Sequence, residues 1–415
     1  MAETQIPESM MALQLTGVGM DSVEFREVEV PRPDADQVLC RVECAAACSS
    51  DNKIIDQGPE HSLMHGWDPA RWPVTLGHEG CVTAVEVGRN WEDKIRVGQR
   101  YAVQPAVPSG PSRHRDHYAN DGRGIRKIAI GYTLPGLFAE YVVIDPEVIG
   151  CSCLLPVADD TLPHFAAALS EPISCVVAAQ QHSFHIIKES PEAPRECRLG
   201  LLPGGTTLVL GAGPMGLWHV EIAMSHAPAT IIVSEPNEAR RETARSFFAD
   251  RARDAGINLV LTTPDTLEAV IADVTGRRGV DDCIVALGIK AVQETSFDYL
   301  GVGGVTNFFG GVRADDRMIQ VDARRIHYDS ISAVGSSGSD PSDIAETLEL
   351  LAARKIQPGN YVAAAGGLDA ARDLIEAVRA QRMEGKGVIY PSVRQPLAEV
   401  ESWSADQERQ ILAGA

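Results

Sequence analysis

Relative to its size, this sequence is short of positive charge: 37 Lys and Arg stand against 57 Asp and Glu, a formal net charge of −20. That balance argues against nucleic acid or an anionic membrane as a partner, because both recruit clusters of Lys and Arg. No positively charged, apolar leader opens the chain, which begins Met1-Ala2-Glu3-Thr4-Gln5. No apolar run reaches the roughly 18 residues that a membrane helix needs. Internal repeats and low-complexity tracts are also missing. Nine cysteines, an odd number without framework spacing, point to reduced thiols and a cytoplasmic location. What is left is the composition of a soluble globular protein. At 415 residues it is too long for one ordinary core, so two or three domains are expected.

From Met11 to about Gly88 the chain reads as short strands broken by turns. Val23 to Val30 alternates apolar and polar, as a half-buried strand should, and Pro31-Arg32-Pro33 stops it. Val38 to Cys44 is the next strand, and Ala45-Ala46-Ala47 then delivers Cys48. Gln57 to Pro73 reads as a long loop whose Trp67 and Trp72 either line the mouth of a site or simply pack. Between Pro105 and Gly131 lies a segment rich in Pro, Gly, Arg and His, including Arg113, His114, Arg115 and His117. It reads chiefly as a solvated loop, with contact to an anionic group as the alternative. Near Ala166 the period becomes helical, with Glu171 embedded near the start of a small, apolar stretch. A carboxylate there needs a partner, either a metal and its water or an arginine.

From Thr206 the pattern is α/β. The buried strand Thr207 to Leu210 runs into Gly211-Ala212-Gly213-Pro214-Met215-Gly216, and a helix follows from Leu217. The next strand, Thr230 to Val233, ends at Ser234 and Glu235, and Glu235 stands 24 residues beyond Gly211. A GxGxxG run alone says little, but between a strand and a helix, with the acidic residue at that spacing, it is a dinucleotide-binding fingerprint. The glycines let the backbone approach a pyrophosphate at the helix N-terminus. Glu235 can accept from both adenosine ribose hydroxyls and would repel a 2′-phosphate, so NAD(H) is expected over NADP(H). Arg240 and Arg241 follow closely and could contact adenosine or a phosphate. Further strands at 282–287, 304–309 and 330–335 alternate with helices, as a doubly wound parallel sheet requires.

The stretch Thr75-Leu76-Gly77-His78-Glu79-Gly80 sets an imidazole beside a carboxylate. A lone His-Glu pair is usually incidental. Cys48 in Cys48-Ser49-Ser50-Asp51 and Glu171 in Ser170-Glu171-Pro172 complete a thiolate, imidazole and carboxylate set that suits Zn2+ and leaves room for water or substrate. Candidate ligands are therefore Cys48, His78, Glu79 and Glu171. Which carboxylate touches the metal stays open at this level.

Taken in order, these motifs resemble the zinc-dependent medium-chain dehydrogenase/reductase family from about Met11 to Tyr390. Glu171-Pro172 resembles its polyol branch, the sorbitol and threonine dehydrogenases. Leu76 to Glu79, Gly98-Gln99-Arg100-Tyr101, Gly131-Tyr132 and Cys153-Leu154-Leu155 are most similar to the L-sorbose 1-phosphate reductase-like group. The resemblance implies a mostly-β GroES-like catalytic domain made of residues 1–175 and 334–415. A Rossmann NAD-binding domain, residues 176–333, is inserted between them. It also implies a homodimer or homotetramer, and alcohol–carbonyl interconversion on a polyol, sugar or sugar phosphate. By resemblance Ser50 relays the alcohol proton and Lys386 touches the pyrophosphate. Two departures matter. Many relatives carry closely spaced cysteines for a structural zinc, but residues 105–131 have none, so one catalytic zinc and no structural zinc is expected. Lys53, a candidate catalytic residue, stands where many members have a proton-relaying histidine. Lysine is a poor relay at its ordinary pKa of about 10.4 unless desolvation or a neighbouring charge lowers it, and binding of cofactor ribose or an anionic group is the alternative. The rivals are a zinc-independent quinone or enone reductase and a non-catalytic nucleotide-binding subunit.

Overall fold

The computed structural model describes residues 6–313 and 316–414, so the opening run Met1 to Gln5 lies outside it. The described chain divides into two compact units. One comprises residues up to Pro172 together with those from Asp340 onward, and the other is Ile173–Ser339.

The first unit is mostly β. Its centre is the strand Val38–Ala46, buried along nearly its whole length because it is covered on both faces. It pairs antiparallel with Glu79–Val87, Tyr141–Ile144 and Lys386–Tyr390 in a sheet of eight strands. The register sets Ala46 opposite Glu79 and Val388 opposite Ala46. Cys48 lies two residues beyond the end of the central strand, His78 one residue before Glu79–Val87, and Lys386 begins Lys386–Tyr390. Three distant stretches of sequence thus meet at one sheet corner.

Two features fix that corner. Gly77 has φ +90°, and a Cβ there would stand 2.9 Å from the backbone nitrogen of Phe138, so only glycine fits comfortably. Backbone bonds from Leu137 N to Gly77 O and from Phe138 N to Leu76 O, both 2.9 Å, hold the approach to His78. A smaller sheet, Val23–Glu29, Ser9–Leu15 and Val74–Thr75, packs into the same core.

The second unit is a six-stranded, all-parallel sheet. Its spatial order is Asn258–Thr262, Thr230–Ser234, Thr206–Leu210, Val280–Val285, Leu300–Phe308 and Ser332–Gly335, the doubly wound dinucleotide-binding order. The expected fold class is borne out. Sequence patterning missed Asn258–Thr262, an outer strand whose residues are mostly half-buried and show no clean alternation. The helix Pro214–Ala223 is buried from Gly216 onward, its polar His219 and Glu221 included.

The C-terminal tail after Pro391 folds onto its own unit. Ala398–Glu399 adds an edge strand to the large sheet beside Val362–Gly367. Helix Ala405–Ala413 sends the buried Glu408 inward, where its two oxygens accept from the backbone nitrogens of His164 (2.9 Å) and Phe165 (2.8 Å). Among the described residues no helix is long and apolar enough to cross a membrane.

Candidate metal centre and cofactor turn

Cys48 is the N-cap of helix Ser49–Gln57, with extended backbone, and its side chain faces the Asp51 backbone N–H of the first turn. A capping box closes this end: Asp51 Oδ2 accepts from the Cys48 backbone N–H at 2.9 Å. Asp51 Oδ1 lies 3.2 Å from His78 Nδ1, and Asp51 is fully buried. Donation from Nδ1 to that carboxylate fixes the ring and sets Nε2 on the side of Ser50. Burial works against a charged imidazole, but Asp51 and then Cys48 hold the His78 pKa well above its ordinary value. Asp51 is the functional residue that sequence reasoning passed over; its position three after Cys48 was the only available signal.

Ligand atoms of Cys48, His78 and Glu79 lie within 4.8 Å of one another. Ser50 Oγ donates to Cys48 Sγ at 3.0 Å and sits 3.2 Å from His78 Nε2. The Tyr132 ring lies beside the imidazole, centroids 5.9 Å apart. Glu79 is fully buried, and Lys386 Nζ stands 2.7 and 2.6 Å from its two oxygens while also donating to Ala47 O at 2.9 Å. Lys386 is thus engaged inside the catalytic unit. Its ammonium is favoured by Glu79 and Cys48 against the cost of burial.

Glu171 lies in the first turn of helix Ser170–His182 and is buried. Burial first, and the Glu79 carboxylate second, push its carboxyl up to about 7. Two buried carboxyls beside a cysteine and a histidine are costly together unless cations compensate them. Lys386 supplies one positive charge, and the remaining sulfur, nitrogen and oxygen donors match the coordination preferences of zinc. The residues therefore fit the expected metal. Lys53 lies on the exposed side of helix Ser49–Gln57.

In the other unit the predicted turn forms as written. Gly213 caps helix Pro214–Ala223, Pro214 occupies its first position and Met215 its second. Gly211 has φ +99°, and a Cβ on Gly216 would meet Gly211 O at 2.0 Å, so the turn closes only around glycine. Glu235 is buried at the end of strand Thr230–Ser234; its oxygens accept from Ala212 N at 2.8 Å and Asn237 N at 2.9 Å. Arg240 sits in the first turn of helix Glu238–Asp254. Arg241 donates to Glu235 O and Pro236 O.

Comparison with known proteins agrees with this geometry. Residues 34–151 match the alcohol dehydrogenase GroES-like domain and residues 214–353 the zinc-binding dehydrogenase model. The chain is 30% identical to the uncharacterized protein YggP of Escherichia coli, over 92% of this chain and 87% of that protein. It is 29% identical to a mannitol-1-phosphate 5-dehydrogenase of Aliivibrio fischeri, covering 94% and 89% respectively. With the L-sorbose 1-phosphate reductase of Klebsiella pneumoniae it shares 27% identity over 96% of each chain. The solved structure of 2R,3R-butanediol dehydrogenase from Bacillus subtilis superposes with TM-score 0.72 over 92% of this chain and all of that one, at 22% identity, a likeness of fold. The chain belongs to the zinc-binding medium-chain dehydrogenase/reductase family, in its polyol branch.

Proposed function

We propose that this protein is an NAD-linked, zinc-dependent oxidoreductase that interconverts a secondary alcohol and a ketone on a polyol, sugar or sugar phosphate. The observation that carries the reading is the group of half-buried Cys48 with buried His78 and Glu79, and Ser50 hydrogen-bonded against it. Cys48, His78 and one of Glu79 or Glu171 would hold the metal. When bound, zinc supplies Lewis-acid polarisation of the substrate oxygen, and the nicotinamide supplies or accepts hydride. Ser50 Oγ is a hydroxyl that can accept the alcohol proton while donating onward. Asp51 fixes the His78 ring, and Lys386 steadies Glu79. Glu171, whose carboxyl is pushed up by burial and then by Glu79, is the second carboxyl that could serve the metal as substrate enters. Lys53 takes no part in these contacts, so the outward proton route does not copy that of histidine-bearing relatives.

Names among the relatives support a phosphorylated polyol: mannitol-1-phosphate, sorbose 1-phosphate and arabitol-phosphate enzymes all match. The negative charge of Glu235, held by two backbone donors, supports NAD over NADP. The absence of cysteine from residues 105–131 supports a single zinc. A homodimer or homotetramer is favoured by the outer strand Ser332–Gly335, paired on one side among the described residues, and by the exposed Val302, Met318, Ile326 and Tyr328. Nine free thiols suit the cytoplasm.

The deciding experiment is zinc analysis combined with a screen of polyols, sugars and their phosphates using NAD+ and NADP+, repeated as carbonyl reduction. Zinc-free protein without turnover on any polyol would sink the dehydrogenase reading. Strict dependence on NADPH would overturn the role given to Glu235.

A further inference from the structure

Within the catalytic unit, the loop Gln57 to Pro73 and the lobe 105–131 enclose a cavity of about 420 Å3. Small-molecule sites usually measure ~300–1,000 Å3. The cavity shares no lining residue with the Cys48, His78 and Glu79 group. One wall is aromatic. His117 stacks on Trp72 with centroids 4.1 Å apart and planes 14° apart, His114 extends the stack at 5.0 Å, and Trp67 meets His117 edge-on at 4.6 Å.

The opposing chemistry is polar and incompletely satisfied. His117 Nδ1 and Glu147 Oε2 are buried atoms without a hydrogen-bond partner, although the other Glu147 oxygen accepts from Ser112 N at 2.5 Å. Such atoms are costly to leave unsatisfied, and both residues line the cavity. Formal charge in the wall is balanced: Arg71 and Arg113 stand with Asp145 and Glu147. Arg113 is engaged by Asp34 at 2.7 Å and stands 3.4 Å from Asp145, although its buried Nε makes no hydrogen bond. A phosphate would lie against two carboxylates with one guanidinium pre-empted. A hydroxyl can instead donate to Glu147 or His117 and accept from a neighbouring donor.

We propose that this cavity is a second binding site, separate from the metal centre, for a small neutral polyhydroxylated molecule, a free sugar or polyol. Trp67 and Trp72 stand in its wall, so tryptophan emission reports occupancy. The full-length protein is titrated separately with D-mannitol, D-glucose and inorganic phosphate. The expected result is a saturable change with a neutral compound, none with phosphate, and a midpoint at least tenfold weaker in Glu147→Gln. That variant keeps the side chain's size and its acceptor for Ser112 N. Val143→Phe, which fills the cavity from the strand Tyr141–Ile144, is expected to weaken binding likewise. No saturable change, equal midpoints in wild type and Glu147→Gln, or a response to phosphate alone overturns the proposal.

Discussion

Lys386 and Glu79 form a buried ion pair, with Nζ 2.7 and 2.6 Å from the two carboxylate oxygens. The lysine begins one strand and the glutamate another, and the strand that leads to Cys48 runs between them. This pair sets how much negative charge the metal centre carries.

Removing the lysine leaves Glu79 buried beside Glu171 without its cation. Breaking a buried pair from one side costs about 3–5 kcal/mol. Lys386→Met is therefore expected to lower the urea midpoint of chelator-treated protein by a matching amount, with added zinc restoring part of it. An unchanged midpoint would mean that Glu79 is compensated by other groups.

Asp51 Oδ1 lies 3.2 Å from His78 Nδ1, which supports a role in orienting the ring of a candidate metal ligand. Loss of such a partner typically weakens metal affinity 10–100-fold. Asp51→Asn should show that loss in competition with a chromophoric chelator while the far-ultraviolet circular dichroism stays that of wild type. Equal zinc retention would remove Asp51 from the site.

Glu408 satisfies two buried backbone donors at the start of helix His164–Ala168 and also accepts from Tyr390 Oη at 3.0 Å. Glu408→Ala strands these groups, and the expected cost is about 2–4 kcal/mol. Glu408→Gln, which keeps one acceptor, should lose less. The comparison of thermal midpoints decides it: equal, small losses would show the tail helix to be dispensable.

His219 is fully buried in helix Pro214–Ala223, where burial holds its pKa down to about 3. The folded protein cannot take a proton there, whereas the unfolded chain takes one as pH falls through about 6.5. The contribution of neutral His219 is thus fully present above pH ~6.5 and is lost progressively down to about 3, on the order of 5 kcal/mol in all. His219→Phe should flatten the acid limb of the stability curve. An unaltered slope between pH 6.5 and 4 would refute this assignment.

Some of the molecule is written locally. The turn Gly211 to Gly216 announces itself because glycine is required at fixed offsets between a buried strand and a helix, and the strand-end position of Glu235 follows from the same spacing. Cys48 and His78 are legible because their chemistry is unusual on short strands. Helix Ser49–Gln57 was not legible: it is polar apart from the adjacent Ile54 and Ile55, which give no helical repeat.

The sequence by itself determined the two fold types, the cofactor turn and the candidate ligand set, because these depend on residue type and short-range period. Only the tertiary structure decided who stands beside whom. Antiparallel register brought Lys386 to Glu79, the capping box turned Asp51 toward His78, and the returning tail delivered Glu408 to a helix 244 residues earlier in the chain. Those contacts are long-range, and an ion pair or a cap formed across that distance leaves no periodic trace in either segment.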